Sequence, residues 1–358
     1  EISCSLVGSE MCIRDRYSYI ARLNYNYADK YLIEFLGRSD GDSRFAEGYR
    51  FKTFASISGG WVFTQEKFLE SVTPVVNFGK LRFSYGNSGN NVGLGDFDYV
   101  GTIGKGTTQF GVIPATQVAT SYSGLISYDR TWERVEQKNF GIDLNFLDSR
   151  LRTSFDYFIK DNIGMLINVT YPSVLGGTAP KTNSGHLNVK GWEFTIGWRD
   201  RVKDFSYNVD FNIGDTRSML KDMEGADTWN AGLNAKVNGY PLNSYFLYRT
   251  DGYFKDQAEV DRYYALYYRT GSDLIGMEQQ GSNALRPGDT KRIDLNGDYK
   301  VTGVGSGDSD LQYIGDANPH FNFGLNLGCS WKGIDVSALF QGIGKQYVMR
   351  NDWMAYPF

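Results

Sequence analysis

From Tyr17 onward the chain repeats with a period of two, and this restricts its fold more than any other feature. Tyr17, Tyr19, Ala21, Leu23, Tyr25 and Tyr27 fall on one side of an extended segment, while Ser18, Arg22, Asn24 and Asn26 fall on the other. Successive side chains of a strand point to opposite faces, so this spelling describes a half-buried β-strand and not a helix. The pattern recurs at 31–39, 51–63 and 76–86, and in three hairpins at 139–160, 190–214 and 320–342. In the first hairpin Phe140, Ile142, Leu144 and Phe146 answer Leu151, Phe155 and Tyr157 across the turn at 147–150. In the second, Trp192, Phe194, Ile196 and Trp198 face Phe205, Tyr207, Val209, Phe211 and Ile213. Each strand is near the ~9–11 residues that cross a bilayer at a tilt.

The opposite face carries Asp143, Asn145, Ser154, Asp156, Glu193, Thr195, Asn208, Asp210, Asn212, Asn322 and Asn326. A polar lumen suits these residues, but so does bulk water around a soluble sandwich, and periodicity alone does not choose between them. Loop lengths do. Connections at one end are short (28–30, 147–150, 199–204, 331–334, with 64–75 somewhat longer), and those at the other are long (40–49, 88–134, 162–188, 215–318). Outer-membrane barrels show this inequality, with short periplasmic turns and long extracellular loops. If 204–214 climbs and 319–331 descends, the residues between them hold an even number of crossings. Taking that number as zero assigns the strand-like segment 241–254 to a large extracellular loop. The expected fold is therefore all-β: an antiparallel transmembrane β-barrel, partial, with about ten strands.

Composition agrees with this reading and excludes others. Of 358 residues, 15% are aromatic (25 Tyr, 23 Phe, 7 Trp), with 42 Gly and 8 Pro, which favours strands joined by glycine-rich turns. No run approaches the ~18 apolar residues of a transmembrane helix, and a mean hydropathy of −0.40 is unremarkable for a barrel, which places only alternate residues in lipid. A net charge of −4 with dispersed charges argues against a nucleic-acid partner. Three cysteines are too few for a disulfide framework. Cys329 reads as packing filler at an apolar-facing strand position; Cys4 and Cys12 lie in the first sixteen residues. That stretch, 1–16, lacks the periodicity and the features of a signal peptide. Its run SLVGSEMCIRDR resembles a translated sequencing adapter, so 1–16 is expected to be a non-native extension.

Chemistry-bearing motifs are few. The two histidines, His186 in a Gly/Asn-rich loop and His320 after Pro319, lie in no metalloprotease or nucleophile-elbow context. No acid–base couple stands out, and no catalytic residue is assigned. In 292–319, Asp294, Asn296 and Asp298 follow the D-x-N-x-D spacing of an EF-hand-like Ca²⁺ loop, with the Lys300 carbonyl in the next ligand slot. Tyr299 stands where such a loop has its turn glycine, and Gly305 where it has its bidentate Glu; Asp308 and Asp310 close the site if the intervening glycines bulge outward. The alternative is a metal-free loop of Asx-turns. Trp132, Tyr171, Trp229, Tyr245 and Tyr248 in the long connections either stack on sugars or a partner, or hold the loops together.

The segments NFGIDLNFLDSRLRTSFDYFIKDNIGML, KTNSGHLNVKGWEFTIGW, GYPLNSYFLYRTDGYFKDQAEVD, PGDTKRIDLNGDYK and YIGDANPHFNFGLNLGCSWKGIDVSALFQG together resemble the SusC/RagA family of TonB-dependent outer-membrane transporters over 17–345. The resemblance implies a barrel of ~22 strands around a plug, a SusD-like surface lipoprotein over its mouth, energy from the TonB complex through the plug, and oligosaccharide or peptide cargo. It requires no cofactor, and it carries Asp294, Asn296, Asp298 and Asp310 over as the Ca²⁺ loop, with Asp308 less closely placed. No TonB box, plug or first part of the barrel precedes Tyr17, so the chain is expected to be an internal section, 17–343, with 344–358 opening the next extracellular loop. Two other classes differ in testable ways. A soluble or surface β-sandwich that binds glycans would expose charge on the face of Trp192, Phe194, Ile196 and Trp198. A barrel hydrolase would need a Ser/His pair on one strand face.

Overall fold

The structure, a computed structural model, describes residues 14–96, 98–101, 103–110, 115–122, 124–169, 174, 179–224, 227–228, 232–267, 285–299, 301 and 310–350. The chain divides into two compact units, one of 1–217, 221–226 and 321–342, the other of 218–220, 227–320 and 343–358.

The first unit is built on a ten-stranded sheet. Its staves are β1 (Arg16–Tyr27), β2 (Tyr31–Asp42), β3 (Phe51–Trp61), β4 (Val76–Asn90), β5 (Glu133–Phe146), β6 (Leu151–Asn168), β7 (Lys181–Val202), β8 (Phe205–Asp222), β9 (His320–Trp331) and β10 (Ile334–Lys345). Spatial order equals chain order, so the sheet is an up-and-down meander of the expected strand count. Connections alternate between short (28–30, 62–75, 147–150, 203–204, 332–333) and long (43–50, 91–132, 169–180, 223–319).

Turn chemistry sets the short end. Ala28 and Asp29 both adopt left-handed φ (52° and 54°), and the Lys30 amide donates to the Tyr27 carbonyl at 3.0 Å. Such a primed turn matches the right-handed twist of its flanking strands. Asn26 supports it by accepting the Asp29 amide at 3.0 Å. Lys332 (φ 47°) and Gly333 (φ 86°) do the same between β9 and β10. In the 62–75 connection Glu66 accepts the Tyr31 hydroxyl at 2.7 Å and the Trp61 indole N–H at 3.4 Å, tying two aromatic strand ends together.

Register aligns the apolar positions into rows. Tyr25, Ile33, Gly59, Phe83, Phe140, Tyr157 and Trp192 form one row from β1 to β7. Tyr27, Tyr31, Trp61, Leu81, Ile142, Phe155 and Phe194 form the next, toward the short turns. These rings do not close over a core: Phe83 is 53% exposed and Phe140 48%. Removing such a side chain from water is worth about 1.5–3 kcal/mol, so an aligned face of them demands an apolar surrounding. A soluble sandwich would place charge there.

Toward the long connections the staves run further than their alternation suggests. β6 continues to Asn168 and β7 begins at Lys181, with Asp161 opposite Asn188 and Asn168 opposite Lys181. Alternation lapses in this zone, where Asp161 and Asn162 give way to Ile163, Met165, Leu166 and Ile167, while the backbone ladder persists. His186, expected in a loop, is therefore a residue of β7. Between β4 and β5 the chain forms a separate hairpin of Ile103–Phe110 and Ala115–Tyr122.

On the polar face, glycines let long side chains cross a neighbouring strand. Arg82 on β4 meets Asp143 on β5 (Nε–Oδ2, 2.8 Å) and also Asp156 on β6 (Nη2–Oδ2, 2.9 Å). The second contact passes over Gly141, which lies in register between Arg82 and Asp156. A Cβ at Gly141 would sit 2.5 Å from Asp156 Oδ1 and 2.8 Å from Arg82 Cζ.

The second unit is small and aromatic. Ser244–Tyr248 pairs with Gly232–Ala235 and with Leu311–Asp316, and Thr250–Tyr253 pairs with Thr290–Arg292. Residues 241–254 thus lie off the ten-stranded sheet, as the choice of zero crossings expected. Ala235, Val237, Phe246 and Leu311 are buried together, with Tyr240, Tyr248 and Tyr313 packed on them. Helix α1 (Gln257–Tyr267) is closed at its start by reciprocal hydrogen bonds: Asp256 accepts the Glu259 amide at 2.8 Å, and Glu259 accepts the Lys255 amide at 2.7 Å and the Lys291 ammonium at 2.9 Å.

Two predictions follow from this packing. Gly141→Val in the full-length protein should cost about 1–3 kcal/mol by overpacking, read by denaturant unfolding in micelles. The cost should shrink in an Arg82→Met background, where the crossing side chain has gone; equal costs in both backgrounds would show that Gly141 is not a notch for Arg82. The Lys255 amide, together with Lys291, holds the Glu259 carboxyl below its ordinary range. A depressed folded-state value gives stability that is complete above the unfolded value of about 4.3 and is lost as pH falls through the folded one. Amide protection of α1 should therefore drop as pH is lowered below about 4.3, and Glu259→Gln should flatten that dependence in hydrogen exchange.

Candidate functional site

The polar face of the sheet is the surface on which function can be built. Alternation sends Glu34, Ser58, Arg82, Ser84, Asn139, Asp143 and Asp156 to the side opposite the aromatic rows, and the residues read from sequence as lumenal share it. Asp143, Ser154 and Thr195 are in one row, and the Ser154 and Thr195 hydroxyls are 2.9 Å apart. Asp156 pairs with Glu193, Asp210 with Asn326, and Gly214 with Asn322. Asn208 and Asn212 lie opposite Gly328 and Gly324, and each amide occupies the space that a Cβ on its partner glycine would take.

Two depressions mark this face. One of about 440 Å³ is lined by Asn24, Asn26, Glu34, Ser58, Lys80 and Arg82, among others. Another of about 300 Å³ lies where β1–β4 approach the long connections, with Arg16, Ser18, Arg38, Asp40, Ser88 and Trp132 in its wall. Buried Oδ1 atoms of Asn139 and Asp156 have no hydrogen-bond donor among the described residues. The wall offers guanidinium, ammonium, amide and carboxylate groups in close succession, a surface for polar matter and not for lipid.

Behind the second depression the end of β2 is fixed by a buried charge cluster. The Asp42 carboxylate, 1% exposed, accepts from Arg44 Nη2 (2.8 Å), the Arg44 amide (3.0 Å), Arg16 Nε (3.0 Å) and Asn91 Nδ2 (2.7 Å). Arg44 also donates to the Leu94 carbonyl at 3.0 Å. Beside them Phe45, Phe54, Leu94 and Trp132 form a buried apolar cluster, and the Trp132 indole donates to the Arg50 carbonyl at 2.9 Å. Trp132 therefore holds the connections together, the plainer of its two sequence readings. Tyr245 is likewise buried, and Tyr248 lies under the Arg292 guanidinium at 4.2 Å. Tyr171 and Trp229 lie outside the described residues.

Both histidines meet carboxylates. His186 Nε2 is 3.1 Å from Asp161, a carboxylate that also accepts the Asn188 amide at 2.8 Å, and His320 Nε2 is 3.2 Å from Asp316. Of the residues assigned to a Ca²⁺ loop, Asp294 accepts the Gly297 and Tyr299 amides (2.7 and 2.8 Å), and Asn296 accepts the Asp298 amide at 3.0 Å. Tyr299 takes φ 65°, the left-handed conformation that an EF-hand asks of its sixth residue. Asp310, fully buried, accepts the Leu295 amide at 2.8 Å. Among the described residues no three His, Cys, Asp or Glu side chains converge as metal ligands; Lys300 and Asp308 lie outside them. The first half of the loop is thus wound as a cation loop is wound, and backbone amides already satisfy the oxygens named here.

What sequence reading missed was the Arg16, Arg44, Asp42 and Asn91 cluster. Its members sit 26 to 75 positions apart for Arg16 alone, and only the short D-x-R pair carried a local signal.

No family model matches the chain. Among curated proteins it is 28% identical to TonB-dependent receptor P3 of Formosa agariphila over 331 residues, covering 90% of this chain and 31% of that one. It is 31% identical to TonB-dependent receptor SusC of Bacteroides thetaiotaomicron over 251 residues, 65% of this chain and 25% of that one. Among solved structures, the RagAB peptide importer in its open-open state superposes with a TM-score of 0.68 at 22% identity, over 92% of this chain and 32% of that one. Its closed-closed state gives 0.66. The chain spans about a third or less of the length of these relatives. Aligned apolar rows on one face, a polar wall on the other and this set of relatives agree: the chain is SusC/RagA-like, similar to the TonB-dependent receptors of the outer membrane.

Proposed function

We propose that the chain forms one section of the wall of an outer-membrane importer for oligosaccharides or peptides. The observation that carries this reading is the two-faced sheet, aromatic in register outside and charged inside, in a chain whose relatives are named as receptors. Its ten staves are a section of a larger barrel of ~22 strands, because lipid does not tolerate the open edges of β1 and β10. The long connections, with the 223–319 segment among them, face outward, where a SusD-like lipoprotein closes the mouth. Transport draws on TonB through a plug in the lumen. The unfilled acceptors of Asn139 and Asp156 suit donors from whatever occupies that lumen. No resident cofactor is needed for such transport. The proposed non-native extension, 1–16, overlaps β1 at Arg16, whose guanidinium donates to Asp42, and the proposed next external loop, 344–358, begins within the end of β10.

The test is genetic and biochemical. Deleting the full-length gene should abolish growth on one class of polymeric nutrient, and the tagged receptor should co-purify with a lipoprotein encoded beside it. Unchanged growth on every glycan and peptide source, with no lipoprotein recovered, would reject the reading.

Within the same reading, Ca²⁺ is the ion proposed for the Asp294, Asn296, Asp298, Lys300, Asp308 and Asp310 loop. Support comes from the D-x-N-x-D spacing and the left-handed Tyr299. Millimolar Ca²⁺ should protect amides 294–310 of the full-length protein from exchange, and Asp294→Ala should erase that protection. Identical exchange with Ca²⁺ and with chelator would leave the metal-free Asx-turn loop.

A further inference from the structure

On the outward face of β5–β7 the polarity changes within one register step. The row Phe83, Phe140, Tyr157, Trp192 is wholly aromatic. The next row toward the long connections is Tyr85, Lys138, Ile159, Lys190, so two lysines flank one isoleucine. Beyond it come Asn87, Glu136, Asp161 and Asn188. These three strands are interior to the sheet, with hydrogen-bonded neighbours on both sides, so the face is fully formed.

The two lysines differ from the charges around them. Arg134 pairs with Glu136 at 3.0 Å, Arg217 with Asp215 at 3.1 Å, and Asp161 is engaged by His186 and Asn188. Lys138 and Lys190 are exposed and, unlike these, stand in no salt bridge or hydrogen bond among the described residues. Their Cα atoms are two strand spacings apart, roughly 9.5 Å. Stems of this kind lie along apolar surface while the ammonium reaches for the polar layer, here over Ile159 with aromatic rings directly below.

We propose that Lys138 and Lys190 form a docking site for the phosphate of an anionic membrane lipid, whose acyl chains lie over the Phe140, Tyr157 and Trp192 row. Two unpaired ammoniums at the upper limit of an apolar band are complementary to a lipid that carries negative charge at that height and hydrocarbon below it. Lysine meets phosphate as a point charge, without a demand for planar geometry. Glu136 and Asp161 stand one row further out and take their direct contacts from Arg134, His186 and Asn188; Lys138 acts on Asp161 only through space, without an ion pair, and both ammoniums remain exposed. The site rests on the membrane placement of the barrel, not on what the barrel transports.

The test uses the full-length receptor in micelles, with native mass spectrometry reading retained lipid. A lipid phosphate monoester is offered in competition with its dephosphorylated counterpart. The wild type should retain the phosphorylated form preferentially, and each of K138Q and K190Q should weaken that preference by about fivefold. K67Q, which removes the same charge in the 62–75 connection, should leave it intact. K138R/K190R should also keep it, which covers the case in which the glutamine pair impairs folding. Heat-modifiable migration confirms that each barrel is folded. Equal retention by wild type and folded K138Q/K190Q, or displacement of the lipid by inorganic phosphate at matched concentration, would overturn the proposal. A folded receptor with no lipid preference would leave the import reading standing, and loss of import with preserved lipid retention would strike that reading alone.

Discussion

A peptide group in hydrocarbon has no water to bond with, and every other property of this sheet depends on that. Each stave must find partners for its N–H and C=O groups in its neighbours, which makes a continuous antiparallel ladder the only economical arrangement for strands in lipid. Continuity fixes register. With a side-chain period of two, a slip of one residue would send Phe83, Phe140 and Tyr157 into the polar interior and Arg82 and Asp156 into lipid. Seven strands keep one apolar row, Tyr27 to Phe194, without a break, so each pairing is checked by the solvent on both sides. The tight primed turns, with Ala28 and Asp29 at left-handed φ, set the same register from the covalent end.

The polar face meets a different problem. Charged side chains that project inward from adjacent strands crowd one another unless some positions are left empty. Gly141 lets Arg82 reach a carboxylate two strands away, and Gly324 and Gly328 lie opposite Asn212 and Asn208 in the same manner. A glycine in a strand interior weakens it by itself, and here the loss is offset by an ion pair that links three staves. Such pairs in a partly wet wall contribute little free energy individually. Their larger effect is orientation, since Arg82 held by Asp143 and Asp156 presents a fixed edge to whatever lies against the wall.

Much of this was legible in the sequence, and the limits of legibility have physical causes. The staves, their faces and their number follow from alternation, because lipid and lumen differ so sharply that each residue reports its side. Segment 241–254 looked like a stave, yet the choice of zero crossings removed it, and it pairs instead with 232–235, 290–292 and 311–316. The ends of β6 and β7 were not legible: around Asp161, Asn188 and Lys181 polar and apolar residues no longer alternate, although the ladder continues through them. His186 was misplaced for that reason. The charge cluster at Asp42 was hidden for another, since its members are brought together by tertiary pairing of distant connections.

That cluster shows what holds the outer ends of the staves once lipid no longer does. Above the apolar band the sheet has water on both faces and loses the solvent contrast that fixed its register below. Burying Asp42 and Arg44 there costs desolvation that their attraction repays only when every donor and acceptor is met. Here the carboxylate receives five donors from three segments of chain, and Phe45, Phe54, Leu94 and Trp132 exclude water beside it. An apolar plug of equal volume would be as stable and would slide more easily. The directional demands of a buried carboxylate admit one alignment of 43–45 against 91–94, so above the membrane hydrogen-bond geometry takes over the task that the aromatic rows perform within it.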